Sequence, residues 1–121
     1  MGKPFENAEA WRSARTLAGQ AYAPCQRAPL SKDFGLRDQL QRAAVSVMNN
    51  IAEGWESLRA LEKRQTYNIA RRPCGEARSM SYVLRFDSQF ISREPQIDLP
   101  AACAQTGKLV PGLIRALGDR S

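Results

Sequence analysis

The sequence predicts an all-α protein, an antiparallel up-down four-helix bundle that forms a single domain over residues 1–121. Two observations predict this class. Apolar residues recur at helical spacing in four separate stretches, and no stretch alternates like a β-strand. The links between the stretches are short, which is typical of antiparallel bundles. At 121 residues the chain can form one hydrophobic core, but it lies near the size at which oligomerisation helps.

The first helix is predicted from about Phe5 to Tyr22, because apolar residues recur there every three or four positions. Pro24 and Pro29 bracket the loop that follows, and this loop extends to about Asp33.

The second helix, predicted to begin near Leu36, has the clearest pattern in the chain. Its apolar stripe consists of Leu36, Leu40, Ala43, Val47 and Ile51. The neighbouring face carries Gln39, Arg42, Ser46, Asn49, Asn50 and Glu53. The hydrogen-bonding groups of short amides, a hydroxyl and one arginine can find partners between packed helices. The composition of this face therefore indicates a structural polar network and not an ordinary solvated surface. Gly54 is predicted to end the helix as a C′ residue.

A link over 55–60 leads to the third helix, predicted from about Leu61 to Phe90. A loop over 92–100 precedes the fourth helix, predicted from about Ala101 to Leu117.

Two prolines fall inside these helices, Pro73 in the third and Pro111 in the fourth. Proline removes a helical hydrogen bond and crowds the preceding turn. We predict a kink at Pro73 and not a break, because one ladder continues in phase across it: Tyr67, Ala70, Cys74, Ala77, Ser81 and Leu84. Pro111 is expected to bend or restart the fourth helix.

The composition argues against several functional classes. The chain has no histidine, which removes the usual catalytic triads and most zinc sites. Three cysteines without CxxC spacing favour reduced thiols over a disulfide framework. No apolar run reaches the roughly 20 residues that a membrane span needs. We therefore predict a cytoplasmic protein that is not an enzyme, needs no cofactor and binds neither metal nor membrane.

The stretch from Arg59 to Arg85, which includes most of the predicted third helix, holds most of the excess positive charge, with seven basic residues against two acidic ones. The chain carries 18 Lys and Arg against 12 Asp and Glu, and most of the 18 are Arg. Arginines recur every seven residues along one side of this helix, with Arg72 and two tyrosines beside them. The candidate nucleic-acid-binding residues are Arg64, Arg71, Arg72, Arg78, Arg85, Tyr67 and Tyr82. The alternatives are ion pairs with a neighbouring helix or subunit, and a solvated face.

Glu76 is predicted to lie nearer the apolar side of the third helix, which comprises Ile69, Ala77, Met80 and Leu84. A carboxylate there needs a partner, and Arg42 and Asn50 are available on the second helix. The predicted structural polar network comprises Gln39, Arg42, Ser46, Asn50, Glu53 and Glu76. Removing one partner from a buried network should cost about 3–5 kcal/mol. An unchanged melting temperature would instead favour a binding role for Glu76.

Several of these segments resemble a known family. They are Gly35-Leu36 with Gln39, Arg42-Ala43-Ala44-Val45-Ser46, Asn50-Ile51-Ala52-Glu53-Gly54, Ile69-Ala70, Cys74-Gly75-Glu76, Arg78-Ser79, and Gly112-Leu113-Ile114 with Leu117. Together they resemble the bacterial four-helix-bundle family encoded in intervening sequences inside 23S rRNA genes. That family is related to the accessory protein of diversity-generating retroelements. Where the family usually has Gly-Ser, this chain has Arg72-Pro73.

The resemblance implies a ring-like homo-oligomer, with a pentamer as the leading stoichiometry, and in the retroelement branch a partner reverse transcriptase bound together with nucleic acid. Combined with the basic third helix, it favours a non-enzymatic scaffold that binds RNA or DNA. A protein–protein adaptor without a nucleic-acid role is the second hypothesis.

We predict an oligomer in solution, because Trp55, Leu58 and Leu61 cluster around the second link and provide apolar surface for another copy to cover. Light scattering coupled to size exclusion measures the mass directly. A monomer at micromolar concentration would contradict the ring.

Overall fold

The computed structural model describes residues 3–84 and 98–120. These residues form four α-helices and two single-turn 3-10 helices, with no strand among them. The helices are α1 (Glu9–Cys25), α2 (Phe34–Glu56), α3 (Ala60–Tyr82) and α4 (Leu99–Ala116). The predicted all-α, four-helix class is confirmed. Among the described helices, none combines the length and the apolar character that crossing a membrane requires.

The four helices pack in a cyclic order, so that α1 contacts α2 and α4, and α3 contacts α2 and α4. The apolar stripe predicted for α2 is confirmed, because Leu40, Ala43, Val47 and Ile51 are at most 2% exposed. Leu36 is partly buried at the edge of the same core. The core is therefore built where the helical periodicity of α2 predicts it.

Aspartates cap the N-termini of two of the helices. The side chain of Asp33 accepts a hydrogen bond from the amide of Leu36 at 3.2 Å, and that of Asp98 accepts one from Ala101 at 3.1 Å. Each satisfies one of the four amide groups that a helix N-terminus leaves free. As a result, α2 and α4 each begin two residues earlier than the apolar spacing predicted, at Phe34 and Leu99.

At the N-terminus, the predicted first helix divides into two pieces. Residues Phe5–Asn7 form a 3-10 turn, and Ala8 adopts extended backbone before α1 begins at Glu9. The prediction that Pro24 begins a loop is wrong, because Pro24 lies buried in the last turn of α1. Proline has no amide N–H to donate to the carbonyl oxygen of Gln20, so the last turn of α1 forms without that hydrogen bond and the helix ends one residue later.

Pro73 and Pro111 both lie inside their helices, and neither ends its helix. The prediction that α3 continues through Pro73 is confirmed, and all six residues of its in-phase ladder are buried. The predicted extension of this helix to Phe90 and the start of the following loop lie outside the described residues.

Gly54 does not end α2, so the prediction of a C′ stop is wrong. The helix continues to Glu56, and Gly54 lies buried against α3. A β-carbon at this position would lie 2.6 Å from Cε1 and 2.7 Å from Cδ1 of the Tyr67 ring. Tyr67 is itself only 3% exposed and cannot swing away. The glycine is therefore needed for close approach of α2 and α3.

Gly54→Ala should destabilise the protein by about 1–3 kcal/mol, because the added methyl group overlaps a ring that the core holds in place. Gly75→Ala is the matched control, since a β-carbon there meets nothing within 4 Å. In an exposed helix interior, the control should be neutral or stabilising by up to about 1 kcal/mol. Denaturant unfolding measures both changes. Equal effects of the two substitutions would contradict the close approach.

Candidate nucleic-acid interface

The outer surface of α3 is basic because its buried ladder occupies only one side of the helix. Arg71, Arg72 and Arg78 lie outside that ladder and are exposed. They fall on two sides of the outward face. Arg71 and Arg78 lie toward α4, and Arg72 lies toward α2. Arg72, predicted to lie beside the seven-residue stripe, therefore lines a different groove from Arg71 and Arg78.

The groove between α3 and α4, called here the basic groove, has a volume of about 510 Å³. Its cations are Arg71 and Arg78 from α3 and Lys108 from α4. The remaining lining residues are small: Cys74, Gly75, Cys103, Ala104 and Gly107. Small side chains leave the groove floor open to a ligand and place the three charges at its rim.

None of the three cations of the basic groove forms an ion pair within residues 3–84 and 98–120. The ion pair found there joins Arg37 to Asp38, far along the chain from this groove. Arg71 donates a hydrogen bond to the amide oxygen of Asn68 at 3.3 Å, which is a neutral partner. By contrast, the groove between α1 and α4 contains both Glu9 and Arg12. Uncompensated charge therefore distinguishes the basic groove.

The two thiols on the floor of the basic groove remain protonated near neutral pH. Burial raises the pKa of Cys103 to about 12, with a further rise from neighbouring Cys74 and an opposing effect of Arg78. Burial also raises the pKa of Cys74, again opposed by Arg78. The thiol of Cys74 donates to the carbonyl oxygen of Cys103 at 3.3 Å. The thiols therefore add no negative charge that would offset the three cations.

Other members of the predicted basic surface have different surroundings. Arg64 is half-buried and donates to the carbonyl oxygens of Gly118 at 2.8 Å and Arg120 at 3.1 Å, so it anchors the end of the chain. Tyr82 is 42% exposed. Arg85 lies outside the described residues.

Tyr67 is not part of the exposed surface, so its assignment to the basic stripe is wrong. Its ring packs against Gly54 and is 3% exposed. On the helix, Tyr67 lies at the border between the arginines and the buried ladder. Because α2 approaches α3 closely at this point, a residue at this border is buried in the core.

The groove between α2 and α3, called here the mixed groove, has a volume of about 460 Å³. It is lined by Arg42, Ala43, Ser46, Asn68, Ile69, Arg72, Pro73 and Glu76. Arg42 and Glu76 are both exposed there, and no ion pair within the described residues joins them. The prediction that these two groups are buried between helices is therefore wrong. Ile69, expected on the apolar side, is 56% exposed.

The physical reason lies in the shape of the contact between α2 and α3. Residues at the edge of a buried arc sit where the two helix surfaces diverge, and long charged side chains there reach water. Of the predicted network, Asn50 and Ser46 are in contact. The Asn50 amide donates to the carbonyl oxygen of Ser46 at 2.8 Å and to its hydroxyl at 3.1 Å. Gln39 and Glu53 are exposed.

Sequence reasoning missed Lys108, which completes the basic groove. The available indication was that Lys108 and Arg115 are the charged residues of an otherwise uncharged α4.

No group of three or more His, Cys, Asp or Glu residues able to hold a metal occurs among residues 3–84 and 98–120. That the protein is not an enzyme stays a prediction.

Comparison with protein families gave a match over most of the chain. A family described as 23S rRNA-intervening sequence protein matches residues 6–112. No curated protein matched the chain.

Glu76→Ala should change the free energy of unfolding by less than about 0.5 kcal/mol, because the carboxylate is exposed and has no charged partner among the described residues. This replaces the 3–5 kcal/mol expected for a buried network. Chemical denaturation measures the change, with Tyr67→Ala as a positive control that removes a buried ring. A loss of several kcal/mol in Glu76→Ala would restore the buried network.

Proposed function

The chain belongs to the 23S rRNA-intervening sequence protein family, and on that premise we propose that it is a non-enzymatic scaffold that binds RNA. The observation that carries the proposal is the basic groove. Three cations line it, no carboxylate does, and none of the three is paired with one among the described residues.

Uncompensated cations at close quarters repel one another and are stabilised by a polyanion. Two of the three are arginines, whose planar guanidinium groups bind phosphate through two parallel hydrogen bonds. Phosphate contacts of this kind supply affinity and position the ligand without reading its sequence. The basic groove therefore suits the phosphate backbone of a nucleic acid.

Gly75 gives independent support. A glycine inside a helix costs about 0.5–1 kcal/mol relative to alanine. At Gly54 the contact with Tyr67 explains that cost, but a β-carbon at Gly75 would meet nothing within 4 Å. Gly75 lies on the groove floor between Arg71 and Arg78. Close approach of a ligand backbone from outside the chain would account for a glycine at this position.

We further propose that the helices run antiparallel in up-down order and that several copies assemble into a ring, with a pentamer as the leading stoichiometry. The three-residue link between α2 and α3 and the cyclic packing order support the first point. For the second, Leu58 is 95% exposed and Leu61 is 47% exposed beside that link. A ring would repeat the basic groove on every subunit, and linked sites raise the overall affinity.

A protein–protein adaptor is the second candidate, and the same exposed leucines favour it. In that case they would contact a different protein, such as a reverse transcriptase, and the basic groove would bind acidic residues of that partner.

The double variant Arg71→Glu/Arg78→Glu should lose RNA binding, because two phosphate-binding cations become anions. Fluorescence anisotropy with labelled RNA, repeated over a range of salt, measures affinity and its salt dependence. For the wild type, each phosphate contact adds about −0.7 (single strand) or −0.9 (duplex) to the slope of log K against log salt. The matched control is Arg12→Glu/Arg15→Glu, which makes the same charge change on exposed positions of α1.

Loss of binding in both double variants would indicate a net-charge effect and contradict a groove-specific site. The adaptor hypothesis predicts no salt-dependent RNA binding by the wild type. Light scattering on each variant establishes whether the assembly itself is retained.

A further inference from the structure

The mixed groove differs in chemistry from the basic groove. Two guanidinium groups, Arg42 on α2 and Arg72 on α3, line it together with the carboxylate of Glu76. Although both charge signs share one groove of about 460 Å³, no ion pair joins them within the described part of the chain. Hydrogen-bond donors and an acceptor-only group are thus available to a ligand at the same place.

An apolar wall completes the mixed groove. Ile69 is 56% exposed, and Ala43 and Pro73 lie buried behind the charged groups. An apolar surface beside donors and acceptors matches a flat ring with polar edges, as in a nucleobase. The volume also falls within the range of about 300–1,000 Å³ that is usual for small-ligand sites.

The two grooves flank the same outer face of α3, and one hydrogen bond joins a residue of the basic groove to a residue of the mixed groove. Arg71 lines the basic groove, and its guanidinium donates to the side chain of Asn68, which lines the mixed groove. A helix with its side chains is about 10–12 Å wide. A single strand with its phosphates in the basic groove would therefore cross α3 close to the mixed groove.

We propose that the mixed groove binds one unstacked base of single-stranded RNA and prefers guanine. This inference rests on the proposed function. The N1–H and N2–H groups of guanine are adjacent donors that match the two oxygens of the Glu76 carboxylate. Its O6 and N7 accept hydrogen bonds from a guanidinium group, which Arg42 and Arg72 supply. Ile69 packs against the face of the ring.

This arrangement requires a single strand. In an A-form duplex the Watson–Crick edges are paired and the deep major groove excludes side chains, whereas unpaired bases can leave the stack and enter a protein groove. Phosphate binding in the basic groove would position the strand, and the mixed groove would supply sequence preference.

The test compares three short labelled RNAs: an oligouridine, the same oligomer with one central guanosine, and the same oligomer with inosine there. The wild type should bind the guanosine oligomer about tenfold more tightly than oligouridine. Inosine lacks the N2 amino group and should lose most of this preference. Glu76→Gln should abolish the preference while leaving the salt slope unchanged, because the phosphate contacts remain.

Glu62→Gln is the matched control. It makes the same charge change in the first turn of α3, and Glu62 lines neither groove. It should keep the guanosine preference. A preference that survives in Glu76→Gln, or that inosine retains fully, would overturn the assignment of Glu76. The inosine comparison uses the wild-type protein and so does not depend on how the variant folds.

Failure of this inference is distinguishable from failure of the proposed function. Equal, salt-dependent binding of all three RNAs would overturn base recognition in the mixed groove and leave the scaffold function standing. Absence of salt-dependent binding to any RNA would overturn both.

Discussion

The close approach of α2 and α3 at Gly54 is the constraint on which the rest of the arrangement depends. Because Gly54 has no side chain, the ring of Tyr67 lies directly against the backbone of α2. Tyr67 also belongs to the core cluster that contains Val110 of α4 and Leu117, the residue that follows α4. One aromatic residue therefore joins three helices. Tyr67 lies one turn before Arg71 on α3, so the side of the helix that it buries is related by helical geometry to the direction of the arginines after it.

The residues that follow Tyr67 divide into a buried ladder and an exposed basic face. Arg71 and Arg78 border α4, and Arg72 borders α2. Small residues line the α4 side of the basic groove, and a β-carbon at Gly107 would make an ordinary van der Waals contact, 3.6 Å from the Cys74 sulfur, and occupy part of the groove floor. The cationic side chains of both grooves thus sit on helices and not on loops, which favours a fixed spacing between charges.

The distribution of charge around α3 is the main basis for the proposed function. Surface arginines commonly pair with acids, yet those of the basic groove have no such partner in the described residues, and the thiols beneath them stay neutral because burial raises their pKa. The mixed groove has both signs of charge but no ion pair among its members. Groups held apart in this way remain available to a ligand, and the different composition of the two grooves is the basis for the proposed division between backbone binding and base reading.

The sequence by itself determined the four helices, the apolar stripe of α2 and the continuity of α3 through Pro73, because helical periodicity is a local property of the chain. It also located much of the excess positive charge on α3, which carries five basic residues and two acidic ones. The sequence placed Tyr67 both in the in-phase ladder of α3 and on the candidate basic surface, and only the tertiary structure decided that it is buried. The tertiary structure also decided that Gly54 permits helix contact, that Glu76 reaches solvent and that Lys108 completes the basic groove. A helical pattern gives the direction of each side chain from its own axis. Burial at the edges of that pattern depends on how closely the neighbouring helix approaches, and residues distant in the sequence set that distance.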